Sequence, residues 1–222
     1  MSVELLSFTE ENYIKAIFHL SENGTNEVFT NEISDYLQTK PASVTDMYRK
    51  LGQKDLIKHV KYQGVTLTEV GKRHALQIVR KHRLWEVFLV EKLRFTWDEV
   101  HEIAEQLEHI QSQLLTQRLD EFLGFPQHDP HGDPIPNERG EMNQSQKKSL
   151  DEANIGEKGV VVSVQDTSAL FLKYLDKIGL GLKCHIELLD RVEYDGTIEI
   201  KINRDRHSTL SQQVAKNIFI TC

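Results

Sequence analysis

Residues 82–131 hold five of the chain's ten histidines, interleaved with carboxylates at short spacings. The order is His82-x-x-x-Glu86, then His101-x-x-x-Glu105-x-x-Glu108-His109, then Asp129-Pro130-His131. Imidazole nitrogen and carboxylate oxygen are ligands for divalent first-row metals when several converge on one point. On an α-helix, positions i, i+4, i+7 and i+8 share a face. His101, Glu105, Glu108 and His109 are therefore expected on one stripe. Plainer roles stay open for each residue taken singly. His82 and His101 could be surface polar groups, Glu86 could pair with Arg83 or Lys92, and His109 could be a hydrogen-bonded helix residue. Metal binding is the reading that uses them together. A metallohydrolase reading of Glu105-x-x-Glu108-His109 fails on its missing first histidine, so the chain is not expected to be an enzyme.

A stripe of ligands needs elements that hold it. The chain has 222 residues, 39% of them apolar and 27% charged, enough for one to three small domains with ordinary cores. No apolar run approaches the roughly 18 residues a membrane span needs. The N-terminus lacks a basic segment followed by an apolar one, so no signal peptide is expected. Two cysteines, Cys184 and Cys222, form neither a disulfide framework nor a metal spacing, which suits a reducing, cytoplasmic setting.

The net charge is −7, but residues 40–83 carry eleven Lys/Arg against three Asp/Glu. That block is either a solvated helical face or an electrostatic patch for nucleic acid. Its surroundings favour the second. A helix is expected over 8–21, with Thr9 as its cap and Tyr13, Ile14, Ile17 and Phe18 inward. Thr30 should cap a short helix. A break at Gln38-Thr39-Lys40-Pro41 precedes a third helix with Val44, Tyr48 and Leu51 at core spacing. Residues 56–68 read as two strands around a basic, Gly-bearing turn. Together these make a winged helix-turn-helix. Ser43, Thr45 and Asp46 on the third helix could reach base edges. Lys40, Arg49, Lys50, Lys58 and Lys61 could neutralise phosphates.

Thr68 should cap a helix of well over 20 residues, long enough for a dimer seam. A further helix is expected from Trp97 through Leu114, and a short one from Gln117 to Leu123. Four of the five prolines fall in 125–136, which predicts an extended irregular loop. The polar stretch 137–157 reads as a mobile linker. Strands are expected at 160–164, 185–192, 198–202 and 218–220, with a helix over 168–178 and a turn at Asp195-Gly196. The expected class is mainly α with β. A winged helix (1–73) leads into a helical metal-binding and dimerisation domain (74–140). A linker (141–157) then precedes a small β-barrel (158–222).

In this order, three motifs resemble the diphtheria-toxin-repressor/manganese-transport-regulator family, over essentially the whole chain. They are Arg80-Lys81-His82-Arg83-Leu84-Trp85-Glu86, Val100-His101 with Glu105-x-x-Glu108-His109, and Asp129-Pro130-His131-Gly132-Asp133-Pro134-Ile135-Pro136. The resemblance implies two metal ions per subunit. It implies a primary site of Asn12, Glu105, Glu108 and His109. The second site would take His82, Glu86 and His101, with Asp129 and His131 from the proline loop (His128 being the alternative to Asp129). The barrel, similar to an SH3 or ferrous-transport-A (FeoA-like) domain, would add Asp166. Ala169 or a neighbour stands where the family often has glutamine, which leaves no second barrel ligand.

Iron-responsive relatives place methionine and cysteine in the primary site, and manganese-responsive ones aspartate and glutamate. Asn12 and Glu105 contain no sulfur, so the resemblance favours Mn(II), with Fe(II) also acceptable. Lys15 stands where some manganese regulators carry a further glutamate, which argues against their closely spaced ion pair. The implied function is a cytoplasmic, homodimeric, metal-dependent repressor of palindromic operators in double-stranded DNA, at metal-homeostasis genes. A winged-helix regulator sensing a non-metal small ligand is the alternative.

Overall fold

The structure, a computed structural model, describes residues 5–60, 64–142 and 146–221. The chain divides into two compact units. One comprises residues 1–82, 105–118 and 136–141; the other comprises 83–104, 119–135 and 142–222.

The first unit opens with α1 (Phe8–Leu20). Its cap is Ser7 rather than Thr9: Glu10 N donates to Ser7 Oγ at 3.3 Å and Ser7 N donates to Glu10 Oε2 at 2.8 Å. This reciprocal arrangement satisfies two of the orphan amides at a helix start. Helix α2 (Thr30–Tyr36) is capped at Phe29, whose amide donates to Glu32 Oε2 at 2.7 Å. Thr30 is thus the first helical residue rather than the cap. Helix α3 (Pro41–Gln53) places proline at its first position, where a missing N–H costs nothing. Val44, Tyr48 and Leu51 are buried as their spacing predicts.

Strands β1 (Ile57–Val60) and β2 (Gly64–Leu67) pair antiparallel, Ile57 opposite Leu67. Residues 61–63, including Lys61, lie outside the described residues. Val65 also bridges Val28. Gly64 has φ +80°, and a Cβ there would lie 2.9 Å from Val28 O. The wing therefore lies against the β-bridge because residue 64 has no side chain.

Thr68 precedes α4 (Glu69–Leu93), accepting from Gly71 N at 3.0 Å and donating to Asp55 O at 2.6 Å. The helix runs 25 residues and contributes its first part, to His82, to this unit. Helix α5 (Val100–Leu107) is shorter than expected. Glu108 and His109 leave it in a turn, with Ile110 N donating to Leu107 O. Ser112 starts α6 (Gln113–Phe122) instead, its Oγ accepting from Leu115 N at 3.3 Å. A local cap outcompetes helix continuation here. Glu108 and His109 therefore do not continue the helix that carries His101 and Glu105.

In the second unit, Leu84, Val87, Leu119 and Ile135 form a small core with Trp85, Phe88 and Leu123 against it. The proline-rich loop is a tight turn rather than an extended segment. Asp129 Oδ1 accepts from His131 N (2.8 Å) and Asp133 N (3.0 Å), and Gly132 N donates to Asp129 O (3.1 Å). Asp side chains commonly template such turns.

The rest of this unit is a six-stranded antiparallel sheet. Its elements are β3 (Lys148–Ser149), β4 (Lys158–Val164), α7 (Ala169–Ile178), β5 (His185–Arg191), β6 (Ile198–Ile202), β7 (Arg206–Leu210), α8 (Gln212–Lys216) and β8 (Ile218–Thr221). The hydrogen-bonded order is β3-β8-β4-β5-β6-β7. Register shifts at Val161/Ser163 and Leu188/Asp190 mark bulges, which bend and twist the strands. Strand β7 carries no apolar alternation and buries only Leu210, so periodicity does not reveal it.

Residues 148–152, expected in the linker, belong to this sheet domain. Strand β3 pairs with β8, and Leu150 in the 3₁₀ turn that follows is buried among Val161, Ile218 and Ile220. Leu150→Ala is expected to lower stability by about 2–5 kcal/mol, as for other buried leucines. Denaturant unfolding of the variant checks this; a change within about 0.5 kcal/mol would mark residue 150 as part of a linker after all.

Candidate metal centres

In the first unit, ligand atoms of His82, Glu105 and Glu108 lie within 4.8 Å of one another. His82 comes from α4, Glu105 from the last turn of α5, and Glu108 from the turn after it. His82 Nδ1 is 2.6 Å from Glu108 Oε2 and 3.7 Å from Glu105 Oε1. Glu108 is 0% exposed, and its Oε1 is buried without a hydrogen-bond partner.

Lys15 reaches into the same set from α1. Its Nζ lies 2.5 Å from Glu105 Oε1, 2.6 Å from Glu108 Oε2 and 3.3 Å from His82 Nδ1. Burial alone would lower the Lys15 pKa. The charges of Glu108 and Glu105 outweigh it and hold the amine above its usual value, as an ammonium.

Asn12 lies one turn before Lys15 on α1. Its Oδ1 is also buried without a partner, and its side chain lines a cleft of about 430 Å³ with Met47 and Lys50 of α3. His109 meets Glu11: Nδ1 and Oε2 are 2.5 Å apart, and Phe8 stacks on the imidazole at 4.7 Å. Lys81 Nζ is 3.6 Å from the other Glu11 oxygen. Among the described residues, His109 joins no converging set of three His, Cys, Asp or Glu ligands. Glu11 was not picked out in the sequence, because acidic residues are common in a first helical turn.

The second unit gathers Glu86, Asp129 and His131, all buried, with ligand atoms within 4.8 Å. His101 Nδ1 lies 3.6 Å from Glu86 Oε1, and His131 Nδ1 lies 3.6 Å from Glu86 Oε2. His131 Nε2 is 2.8 Å from Trp97 O. A ring N–H donated to that carbonyl fixes the ring orientation that turns Nδ1 toward Glu86, a common support for a metal-ligating histidine. Trp97 is itself anchored, its Nε1 donating to Asp176 of α7 at 3.1 Å.

Burial alone would lower the His131 pKa. The hydrogen bond and charge of Glu86, and the charge of Asp129, overcome it and raise the imidazole to about 9. Burial pushes the Asp129 carboxyl up, and the neighbouring Glu86 and Asp133 push it further. Arg83 opposes this, with Nε 3.4 Å from Asp129 and Nη2 3.4 Å from Asp133, and a bond to Pro134 O. Gly132 lets the loop dock. Its φ is +87°, and a Cβ there would fall 1.9 Å from Val162 O. The neighbouring His131 O accepts from Val164 N at 3.0 Å.

Within the first unit His82 also meets Glu105 and Glu108, beyond the grouping with Glu86 and His101 that the resemblance implies. His128 is exposed and bridges Pro134 through its backbone. Asp166 Oδ1 accepts from Ser168 N at 2.8 Å ahead of α7, and Asp166 joins no ligand set among the described residues. Ala169, the first residue of α7, offers no side-chain donor. On the winged helix, Lys40, Ser43, Thr45, Asp46, Arg49, Lys50 and Lys58 are all exposed. Thr45 Oγ1 donates to Pro41 O at 3.1 Å, and Arg49 is 3.5 Å from Asp46.

Both sets fit a divalent first-row ion. Each offers imidazole nitrogen and carboxylate oxygen with no sulfur. The first also leaves one buried acceptor, Glu108 Oε1, unsatisfied by protein, and Asn12 Oδ1 on α1 is a second such acceptor in the same unit.

Three family models match in sequence order. They are the iron-dependent repressor N-terminal DNA-binding domain (residues 5–65), the iron-dependent repressor metal-binding and dimerisation domain (68–137) and the FeoA domain (148–222). The iron-dependent repressor IdeR of Mycobacterium tuberculosis is 31% identical over 147 residues, 66% of this chain. That alignment spans 63% of the relative's own length. An uncharacterised HTH-type transcriptional regulator of Methanocaldococcus jannaschii is 33% identical over 118 residues, covering 53% of this chain and 94% of the relative. A solved manganese-dependent transcriptional repressor in complex with manganese superposes with a TM-score of 0.88 at 36% identity. It covers 96% of this chain and 99% of that one. The order of domains, the two converging ligand sets and these likenesses agree: the chain belongs to the diphtheria-toxin-repressor/manganese-transport-regulator family.

Proposed function

We propose that this chain is a metal-activated, DNA-binding transcriptional repressor and not an enzyme. The observation that carries the proposal is the first unit's ligand set. It is built from α4, α5 and the turn after α5, with α1 of the winged helix reaching into it through Lys15. A bound divalent ion supplies a multivalent cross-link there. The residues do the rest. His82, Glu105 and Glu108 set the position of α4 and the α5 end, while Asn12 and Lys15 tie α1 to the same point. Since α1 packs on α2 and α3, fixing α1 fixes the helix that carries Ser43, Thr45, Asp46, Arg49 and Lys50. A preset recognition helix binds DNA without the cost of ordering it first.

We further propose Mn(II) as the preferred ion, with Fe(II) second, because both sets contain only nitrogen and oxygen donors. Each subunit would take two ions, one in each set. Asn12, Glu105, Glu108, His109 and His82 serve the first; Glu86, His101, Asp129 and His131 serve the second, with Asp166 the least supported member. The partners would be double-stranded operator DNA and a second copy of the chain, since α6 exposes Leu114 and Phe122. Two recognition helices on one dimer imply a palindromic operator. Among the described residues, no helix is long and apolar enough to cross a membrane; a cytoplasmic setting is the natural one for this reading.

A second reading rests on one cavity of about 350 Å³ in the first unit, lined by Leu5, Leu6, Ile78 and Ile110 with Arg80 and Lys81. A small organic acid could occupy it, making the chain a ligand-sensing regulator. Metal-indifferent operator binding would favour that reading.

Mn(II) is expected to tighten binding to candidate promoter DNA by about 5–150-fold, the usual span of allosteric coupling. Fluorescence anisotropy with and without chelator measures it. Glu108→Gln should remove most of that response while leaving the metal-free affinity near wild type; an undiminished response would contradict the proposal. The second set adds a pH dependence. His131, with a pKa raised to about 9, is protonated at pH 7. If His131 holds the ion, it would have to give up a proton first. Metal affinity of this set should therefore rise about tenfold per pH unit between roughly 7 and 9 and flatten above. Calorimetric titration in buffers of different ionisation enthalpy should show about one proton released per ion from His131 at neutral pH, with a further fraction from Asp129, whose carboxyl is pushed up to about 7. The metal-free fold shows the opposite trend. A raised histidine pKa stabilises fully below its unfolded value near 6.5, and that contribution is lost as pH climbs through about 9.

A further inference from the structure

We propose that Lys15 is the resident occupant of the His82/Glu105/Glu108 set, so that a divalent ion entering the set must displace its ammonium. The inference rests on the metal-responsive reading above and adds a residue that sets how much metal is needed.

The geometry is specific. The Lys15 Nζ does not pair with one carboxylate at the edge of the set; it contacts one atom from each of the three ligands. Two of those atoms, Glu105 Oε1 at 2.5 Å and Glu108 Oε2 at 2.6 Å, are carboxylate oxygens suited to coordinate an ion. A metal ion sits about 2.0–2.2 Å from such donors. An ion and an ammonium drawing on the same two oxygens would face each other at a few ångströms in a buried space, where like charges repel strongly. The two occupants are therefore mutually exclusive. The ammonium is also an incomplete occupant. It leaves Glu108 Oε1 buried with no hydrogen bond, although Glu108 is wholly inaccessible to water. A divalent ion can draw on both oxygens of a carboxylate and would satisfy what Lys15 cannot.

Two consequences follow. Lys15 stabilises the metal-free protein, because without it two carboxylates and an imidazole would crowd one site with no cation among them. It also subtracts from metal affinity, because binding must first break its contacts. Lys15 thereby raises the free-ion concentration at which the set fills.

The test is Mn(II) titration of the full chain, followed by electron paramagnetic resonance of free ion, for wild type, Lys15→Met, Lys15→Gln and Lys15→Arg. In the Met and Gln variants one class of sites should bind Mn(II) at least tenfold more tightly, about 1.4 kcal/mol. The other class should be unchanged. Lys15→Arg should stay near wild type, and the metal-free Met and Gln variants should melt at lower temperature. Unchanged or weaker Mn(II) binding in folded Lys15→Met would overturn the proposal. If the neutral variants do not fold without metal, the wild-type chain gives the answer. The protected Lys15 ammonium resonance, assigned by its loss in Lys15→Arg, should shift or lose protection when diamagnetic Cd(II) binds. A resonance that stays unmoved with the ion bound would count against displacement. Failure of the regulatory reading looks different: wild-type operator binding would be indifferent to Mn(II), whatever Lys15 variants do to affinity.

Discussion

The first unit is organised around one buried charge. Glu108 is fully inaccessible, and an isolated carboxylate in such a place would cost far more than a small domain's net stability. It is tolerable only with cations and donors brought to it. His82 on α4 comes to 2.6 Å and Lys15 on α1 to the same distance. The helix carrying Glu105 ends at Leu107, and Glu108 faces them from the turn that follows. Three elements distant in sequence thus converge because one carboxylate requires it. Removing a single partner from such an arrangement is typically worth several kcal/mol, because the remaining charge stays buried. That sensitivity suits a site whose occupancy is meant to be felt by the elements that hold it.

The second unit meets the same constraint in another way. Glu86 and Asp129 are both buried and close, so like charge and burial push the Asp129 carboxyl up while His131 is held as a cation. Arg83 clamps the proline loop at Asp129, Asp133 and Pro134. Gly132 allows that loop to dock on β4 at all, because any side chain would strike Val162 O. The sheet domain therefore supports a ligand set through a backbone hydrogen bond from β4 to the loop and through Asp176 of α7, which holds Trp97. Asp166, the acidic ligand that the family resemblance suggested, accepts from Ser168 N in a local turn ahead of α7.

Much of this was legible in the sequence, for reasons that differ by element. The winged helix could be read from Val44, Tyr48 and Leu51 at helical spacing, Pro41 at a helix start and a Gly-bearing hairpin. Thr68 marked the start of α4 because its hydroxyl has one local use. The ligand residues stood out by type. What sequence could not show was how they group. Periodicity places Glu108 and His109 on the face of Glu105; Glu108 does converge with Glu105, while His109, in the turn before the helix that Ser112 starts, meets Glu11 instead. Glu11 was hidden because an acid in a first helical turn has an ordinary role, and its pairing with His109 is purely tertiary. Polar residues 146–152 resembled a linker because one leucine, Leu150, carries their burial. Strand β7 was hidden because an edge strand needs little apolar content.

The central claim is that Lys15 and a divalent ion compete for the same oxygens, in a set whose filling orders the winged helix. The most direct measurement is anomalous scattering at the manganese absorption edge from crystals of the Mn(II)-loaded chain. The account predicts one anomalous peak among His82, Glu105 and Glu108 with the Lys15 ammonium withdrawn from both carboxylates. It predicts a second peak among Glu86, Asp129 and His131. A loaded crystal in which Lys15 still bridges Glu105 and Glu108, with manganese bound elsewhere, would contradict it.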